Sequence, residues 1–172
     1  MDIEYLLTLQ GLRETLGSAV ESFFVAFSLI GDGPVLVAFT LIIYWCVDKR
    51  AGQLAMVSFA FANFIGQLIK NIACIYRPWI LDPRITPAEG AIEGAGGFSF
   101  PSGHTTGSCT VNCSLAWSFR YRWRWLSIVL VIIFVIIAFG RNYLGVHTPQ
   151  DVLVAIALAL VMIWLANKFL SH

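Results

Sequence analysis

The chain has 172 residues, of which 58% are hydrophobic and only 12% are charged, and its net charge is +1. Soluble domains carry about 25% charged residues, and a small domain exposes too much surface to hide so much apolar material. The composition therefore excludes an ordinary soluble globule and predicts an integral membrane protein. The near-neutral charge gives no indication of a nucleic-acid partner.

The beginning of the chain lacks the features of a secretory signal. Residues 1–4, Met-Asp-Ile-Glu, contain no basic group, and no small-residue cleavage site follows a compact apolar core. We expect this N-terminus to be retained. Residues 3–17 then mix leucine with charged and amide residues at roughly helical spacing, which predicts an amphipathic helix in the membrane interface.

Apolar segments occupy most of the remaining sequence. They cover residues 18–31, 34–47, 51–72, 104–119, 125–142 and 148–169. A membrane-spanning helix needs about 17–25 residues, so the second segment is short and the fourth is marginal. Because an open chain satisfies its backbone in lipid only as helix, we predict an all-α, polytopic transmembrane helical bundle of five to six spans. We expect one domain over residues 1–172.

The distribution of basic residues predicts which side of the membrane each connection faces. Lys49-Arg50, the arginines of residues 120–124 and Lys168 all follow or precede apolar segments, and such residues mark the cytoplasmic side. Alternating crossings then place the proline- and glycine-rich loop of residues 73–103 on the extracytoplasmic side. The N-terminus is inside if residues 18–31 cross the membrane and outside if they do not.

This topology brings distant ionisable residues to the same extracytoplasmic end of the bundle. They are Lys70, Arg77, His104, Arg141, His147 and Asp151. Such groups at membrane depth are costly and are functional candidates, although lysine and arginine also extend to headgroups at helix ends. For Glu21 and Asp32, a solvated or interfacial position is favoured over a place on an entry path. The four cysteines are expected to be buried as small apolar residues.

His147 and Asp151 form the chemically most informative pair. They are four residues apart at the start of the last segment, and this spacing predicts a shared helix face. A carboxylate beside an imidazole fixes its tautomer and leaves the other nitrogen free, and histidine can form covalent intermediates. Pro149 fits the first turn of the helix.

Residues 101–104, Pro-Ser-Gly-His, open another apolar segment. Ser102 is a good N-cap, and the free amides of the first turn can hold an anion. His104 enters the same site and can donate a proton to a leaving oxygen. Two histidines and an aspartate could also bind zinc, but three cations in the pocket favour an anion over a metal ion.

These residues resemble the three-part motif of the type 2 phosphatidic acid phosphatase (PAP2) superfamily. Lys70 to Arg77-Pro78 matches Lys-x6-Arg-Pro, and residues 101–104 match Pro-Ser-Gly-His. Arg141, His147 and Asp151 match Ser-Arg-x5-His-x3-Asp, with Gly140 in place of the family's serine. The resemblance covers about residues 30–170. Gly140 removes one possible hydroxyl contact to phosphate.

The resemblance implies a role for each matched residue. His147 corresponds to the nucleophile, Asp151 to its orienting partner and His104 to the acid that protonates the leaving group. The phosphate-binding set is implied to be Lys70, Arg77, Ser102, Gly103 and Arg141. The family's phosphatases use no metal and no other cofactor, so none is expected.

The expected function is therefore an extracytoplasmic lipid phosphatase or diphosphatase of the plasma or inner membrane. Its substrate would be a lipid phosphate or isoprenyl pyrophosphate; isoprenyl pyrophosphate is favoured over phosphatidic acid and phosphatidylglycerol phosphate because the span count is minimal. Two alternatives stay open. One is a phosphotransferase that uses the same phosphohistidine, and the other is a non-catalytic membrane protein that binds lipid headgroups. The sequence does not indicate an oligomeric state.

Overall fold

The computed structural model describes residues 3–171, which fold into helices joined by short turns and one long loop. The helices are α1 Ile3–Leu16, α2 Ser18–Ile30, α3 Gly33–Ile42, α4 Lys49–Ala73, α5 Pro78–Leu81, α6 Glu89–Ile92, α7 Gly103–Phe119, α8 Arg124–Tyr143 and α9 Pro149–Leu170. A π-helical turn, Ile43–Val47, extends α3. The predictions for Met1 and Asp2 concern residues outside the described range.

The all-helical, multi-span prediction is confirmed within residues 3–171, and the predicted segments match helices closely at both ends. Three helical stretches are long and apolar enough to cross a membrane: Lys49–Leu81, which includes α4 and α5, Arg124–Tyr143 and Pro149–Leu170. The pair Ser18–Ile30 and Gly33–Val47 qualifies only together and bends by 57° between its parts. By this measure there are up to four spans among the described residues, fewer than the predicted five to six.

Helix α7 lies at the centre of the bundle, packed against α4, α8 and α9. Its buried side chains are mostly small, including Gly107, Ser108 and Ser114, so neighbouring helices approach closely. The helix is 17 residues long and carries many hydroxyl groups, which explains its marginal hydropathy. The hydroxyls of Thr110 and Ser118 donate to backbone carbonyls of their own helix, so these polar groups are hydrogen-bonded without water.

The two ends of the bundle differ in chemistry. At one end, Asp48, Arg50, Arg120 and Asn167 line a common cavity of about 780 Å³, so the basic connections predicted to share one side do lie together. Helix α1 is at the opposite end, where Arg13 donates to the carbonyl of Thr86 in the long loop. The cationic turns and the long loop therefore lie at opposite ends of the bundle.

The long loop is ordered by packing and contains the short helices α5 and α6. Ala88 and Ala91 are buried against Tyr143 and Leu144, where α8 ends and the connection to α9 begins. The backbone amide of Ala88 donates to the carbonyl of Leu144 at 3.0 Å. The loop is thereby attached to the segment that carries His147.

The expectation that all four cysteines are buried is wrong for two of them. Cys109 is buried and Cys113 is half-buried, but Cys46 and Cys74 are exposed on the protein surface. Helix faces that contact lipid need no protein partner, so apolar sequence context alone does not distinguish lipid exposure from burial. All four cysteines are free thiols.

Candidate active site

His147 and Asp151 are in contact, although not on one helix face as the spacing predicted. Helix α9 begins at Pro149, and His147 precedes the N-cap residue Thr148. Thr148 and Asp151 form a capping box that closes the first turn and turns the aspartate back toward the preceding residues. Nδ1 of His147 consequently lies 3.3 Å from Oδ2 of Asp151.

Ser99 completes this arrangement, and sequence reasoning missed it. Its hydroxyl donates to Oδ2 of Asp151 at 2.6 Å, and the backbone amide of Thr148 donates to the same oxygen at 2.8 Å. Ser99 is 1% exposed. The only hint in the sequence is its position just before Pro-Ser-Gly-His. The carboxylate that orients His147 is itself held by two other donors.

Arg77 contacts the other nitrogen of His147. Its Nη1 lies 2.9 Å from Nε2 of His147 and also donates to the carbonyl of Val146 at 3.0 Å. Its Nε and Nη2 donate to the carbonyls of Gly97 and Gly96. With Nδ1 facing Asp151 and Nε2 facing a guanidinium, the contacts fit a neutral imidazole with its proton on Nδ1.

The electrostatics of His147 follow from its burial. Loss of water contact lowers the pKa of His147 below its usual value, and the hydrogen bond to Asp151 opposes this shift. The side chain is 2% exposed. A neutral imidazole keeps a lone pair on Nε2, and this is the electronic form that nucleophilic attack requires.

The start of α7 is built as the sequence predicted. Ser102 is the N-cap, and its hydroxyl oxygen accepts from the amide of Thr105 at 3.4 Å. Its own amide donates to the carbonyl of Asp151 at 3.1 Å, which ties the start of α7 to the start of α9. Gly103 and His104 follow in the first turn and both line the cavity described below.

His104 has a carboxylate partner that the sequence did not indicate. Its Nε2 lies 2.6 Å from Oδ1 of Asp32, in the turn between α2 and α3. The side chain of Asp32 is 35% exposed, so it is partly solvated as expected, and its carboxylate also contacts a histidine of the site. Glu21 pairs with Arg13 at 3.4 Å instead. The signal available in the sequence was the abrupt break at residues 31–34.

Arg141 is deeply buried, at 1% exposure. Its Nη1 donates to the hydroxyl of Ser28 in α2, another contact that the sequence did not indicate. Among the described residues, its Nε and Nη2 have no hydrogen-bond partner. Buried guanidinium donors usually have acceptors, so these two are suited to a bound anion.

Gly140, the departure from the family pattern, faces α2 as well. A Cβ at this position would meet Cδ1 of Phe24 at 3.0 Å. Phe24 in turn stacks on Tyr143 with ring centroids 4.5 Å apart. The space that a serine side chain needs is occupied by this aromatic cluster.

A cavity of about 200 Å³ unites the site. Five of the eight predicted residues line it: Lys70, Arg77, Gly103, His104 and His147. Ser102, Arg141 and Asp151 are buried next to those lining residues and contact them or their neighbours. All eight predicted site residues are thus brought together, while their individual roles stay predictions.

Two polar residues on the cavity wall were not predicted. Asn63 and Gln67 line the cavity together with Lys70. All three lie on α4 at intervals of four and three residues, so they share one helix face. This periodicity was the signal that could have identified them. The cavity therefore has uncharged hydrogen-bonding groups beside its cations.

The positions of the His, Cys, Asp and Glu side chains show whether a metal ion could be held. Within residues 3–171 there is no group of three or more His, Cys, Asp or Glu side chains placed to hold a metal ion. His104 and His147 are instead paired with separate carboxylates. Metal independence stays a prediction that a chelator can test.

Comparison with known proteins identifies the family. The model of the PAP2 superfamily matches residues 52–171, a range that contains all three motifs. Lipid phosphate phosphatase delta of Arabidopsis thaliana is 25% identical over 163 residues, which cover 90% of this chain and 39% of that protein. The chain thus spans about two fifths of the length of this relative.

Two solved structures share the fold. A transmembrane PAP2-type phosphatidylglycerolphosphate phosphatase from Bacillus subtilis superimposes with a TM-score of 0.79 at 22% identity, covering 98% of this chain and 83% of the other. Aquifex aeolicus LpxE superimposes with a TM-score of 0.76 at 21% identity, covering 96% and 93%. With the family model matching well over half of its length, the chain belongs to the PAP2 superfamily.

Proposed function

We propose that this protein is a metal-independent phosphohydrolase that acts on a lipid phosphate or an isoprenyl pyrophosphate through a phosphohistidine intermediate. One observation carries the proposal. His147 is held at Nδ1 by Asp151 and faces Arg77 with Nε2, in a cavity that also contains Lys70 and His104. A site that only bound headgroups would need the cations but not an oriented imidazole.

In the first step, Nε2 of His147 attacks the phosphorus atom and the bond to the leaving oxygen breaks. Lys70, Arg77 and Arg141 stabilise the charge that spreads over the other phosphate oxygens. His104 gives a proton to the leaving oxygen, and Asp151 stabilises the positive charge that develops on His147.

In the second step, water attacks the phosphohistidine. His104, now without its proton, accepts one from the water, and the bond between phosphorus and Nε2 breaks. Inorganic phosphate leaves, and both histidines return to their starting states. The same group serves as acid and then as base, so each cycle balances without a cofactor.

The size of the cavity supports a lipid substrate whose tail stays outside. Its volume of about 200 Å³ is below the roughly 300–1,000 Å³ of pockets that enclose a whole drug-sized ligand. A phosphate or diphosphate group fits this space, whereas an acyl or isoprenyl chain would remain in the bilayer. The family name of the curated relative, a lipid phosphate phosphatase, agrees with this class.

We place the site on the extracytoplasmic side of the plasma or inner membrane. In this topology, α2 and α3 form one bent span, and α4, α7, α8 and α9 form four more, with α1 in the outer interface. The cavity that gathers Arg50 and Arg120 supports a cytoplasmic location for that end. The contact of Arg13 with Thr86 supports placing α1 at the opposite end.

The test is phosphate release by the purified protein in detergent with excess chelator, using undecaprenyl pyrophosphate and phosphatidic acid side by side. We expect release to persist with chelator and to disappear in the His147→Ala variant. Radiolabelled substrate, quenched with alkali, should label the wild type but not this variant, since phosphohistidine survives alkali. Loss of release on chelation would overturn the metal-independent mechanism.

The same assay separates the remaining alternatives. Label that passes to an added lipid or sugar acceptor, rather than to water, would indicate a phosphotransferase. Substrate binding without release or labelling would indicate a headgroup-binding protein. Arg84→Ala is a suitable control, because Arg84 is an exposed cation of the long loop that pairs with Asp82 outside the cavity.

A further inference from the structure

We propose that Asp32 is a positioning residue for His104, accepting from Nε2 so that the ring is held while the proton on its other nitrogen goes to the leaving group. This inference rests on the proposed function and adds to it a residue outside the matched family region, residues 52–171. Oδ1 of Asp32 lies 2.6 Å from Nε2 of His104, a short distance at which the carboxylate can accept directly from the ring N–H.

The position of Asp32 in the backbone indicates that this contact is specific. Asp32 is the N-cap residue of α3, with extended backbone angles, and aspartate there normally accepts from the first amides of its helix. Its side chain makes no such capping bond. The carboxylate thus points away from the helix end that it would ordinarily stabilise and toward His104.

Two glycines lie beside the imidazole ring of His104. A Cβ on Gly31 would lie 3.6 Å from Cδ2 of the imidazole, and a Cβ on Gly94 would lie 3.5 Å from Cε1 and Nε2. Two residues without side chains therefore flank the ring edge that faces Asp32. The bend between α2 and α3 brings the carboxylate to this gap.

The charges around His104 explain why an acid in this place needs a carboxylate. Arg77 and Arg141 both act on it as repulsive positive charges, and Asp32 is the opposing negative charge. Lys70 and His147 line the same cavity. A carboxylate that accepts from an imidazole N–H offsets the repulsion of nearby cations. Asp32 accordingly places a negative charge against His104 inside a cationic pocket.

The first test compares two leaving groups in Asp32→Asn. A phosphatidic acid alkoxide needs a proton to leave, whereas the nitrophenolate of p-nitrophenyl phosphate does not. General acids contribute about 100- to 10,000-fold, so we expect kcat on phosphatidic acid to fall about tenfold or more. On p-nitrophenyl phosphate it should change far less. Asp32→Glu, which keeps the carboxylate, should restore part of the loss.

Two control variants test whether Asp32 acts through His104. Glu93→Gln removes an exposed carboxylate of the long loop and should leave both rates unchanged. The double variant Asp32→Asn/His104→Asn should be no slower than His104→Asn alone, because both act on the same proton. Equal losses on the two substrates, or full additivity, would overturn the inference.

A second measurement does not depend on turnover. The chain has three histidines, so labelled imidazoles can be followed individually by NMR in detergent. The signal lost in His104→Asn should titrate at lower pH in Asp32→Asn than in wild type. An unchanged titration would overturn the inference. A wild type that releases no phosphate, or a His147→Ala variant that does, would overturn the proposed function instead.

Discussion

Arg77 donates to the same nitrogen of His147 that the proposed reaction uses as its nucleophile, with Nη1 of the arginine 2.9 Å from Nε2. The lone pair of Nε2 is therefore engaged, before substrate arrives, by a cation that we propose binds phosphate. A phosphate that enters the cavity offers Arg77 stronger, charged acceptors, which frees the lone pair for attack. In the proposed reaction, phosphate binding and activation of the nucleophile are therefore coupled through this one guanidinium.

This coupling predicts a large effect for Arg77→Lys. Lysine keeps the charge but loses the planar set of donors that reaches Val146, Gly96 and Gly97. Hydrogen bonds to charged groups contribute about 1.5–3 kcal/mol each, so we expect kcat/KM to fall on the order of 100-fold. Steady-state kinetics on a lipid phosphate measure this. Arg84→Lys is the matched control, and equal behaviour of the two variants would contradict the role of Arg77.

Ser99→Ala should slow the reaction through Asp151. Without the hydroxyl at 2.6 Å, the carboxylate loses one of the donors that fix it beneath His147. A lost hydrogen bond of about 1–1.5 kcal/mol corresponds to roughly a tenfold lower kcat with little change in KM. Ser118→Ala, which removes a hydroxyl from the far part of α7, provides the comparison. A change confined to KM would argue against an orienting role.

The lowered pKa of His147 predicts that the nucleophile stays neutral in mild acid. Because burial disfavours the imidazolium, protonation occurs only below the usual histidine value of about 6.5. The unfolded chain binds that proton at higher pH, so folding stability should decline as pH falls below about 6.5. The NMR signal that disappears in His147→Gln should still be that of neutral imidazole near pH 6. A midpoint at or above the usual value would contradict this prediction.

The sequence predicted the fold class and the proximity of the eight candidate site residues because the signals for both are largely local. Long apolar runs specify helices in lipid, and each motif lies at the end of a helix. Ser102 as an N-cap and Pro149 in a first turn follow from backbone chemistry that needs no tertiary information.

The missed contacts depend on packing between distant helices. Asp32 reaches His104, and Ser28 reaches Arg141, only because α2 and α3 bend around the start of α7 and the end of α8. Nothing in residues 18–34 specifies that angle. Exposure of Cys46 and Cys74 was likewise undetectable, since apolar residues around a cysteine do not show whether its side chain faces the protein or the surface.

A substitution at Gly140 tests whether packing against α2 excludes a serine at this position. Restoring the family's residue with Gly140→Ser places a Cβ 3.0 Å from Phe24, closer than ordinary packing allows. Overpacking of this kind costs about 1–3 kcal/mol, so we expect a lower Tm in detergent and no gain in activity. The double variant Gly140→Ser/Phe24→Leu should recover Tm, because leucine leaves space at the ring edge. It should also lower KM through the added hydroxyl, whereas Phe24→Leu alone should not. A single Gly140→Ser variant with unchanged Tm would show that α2 moves aside freely, and the departure from the family pattern would then need another cause.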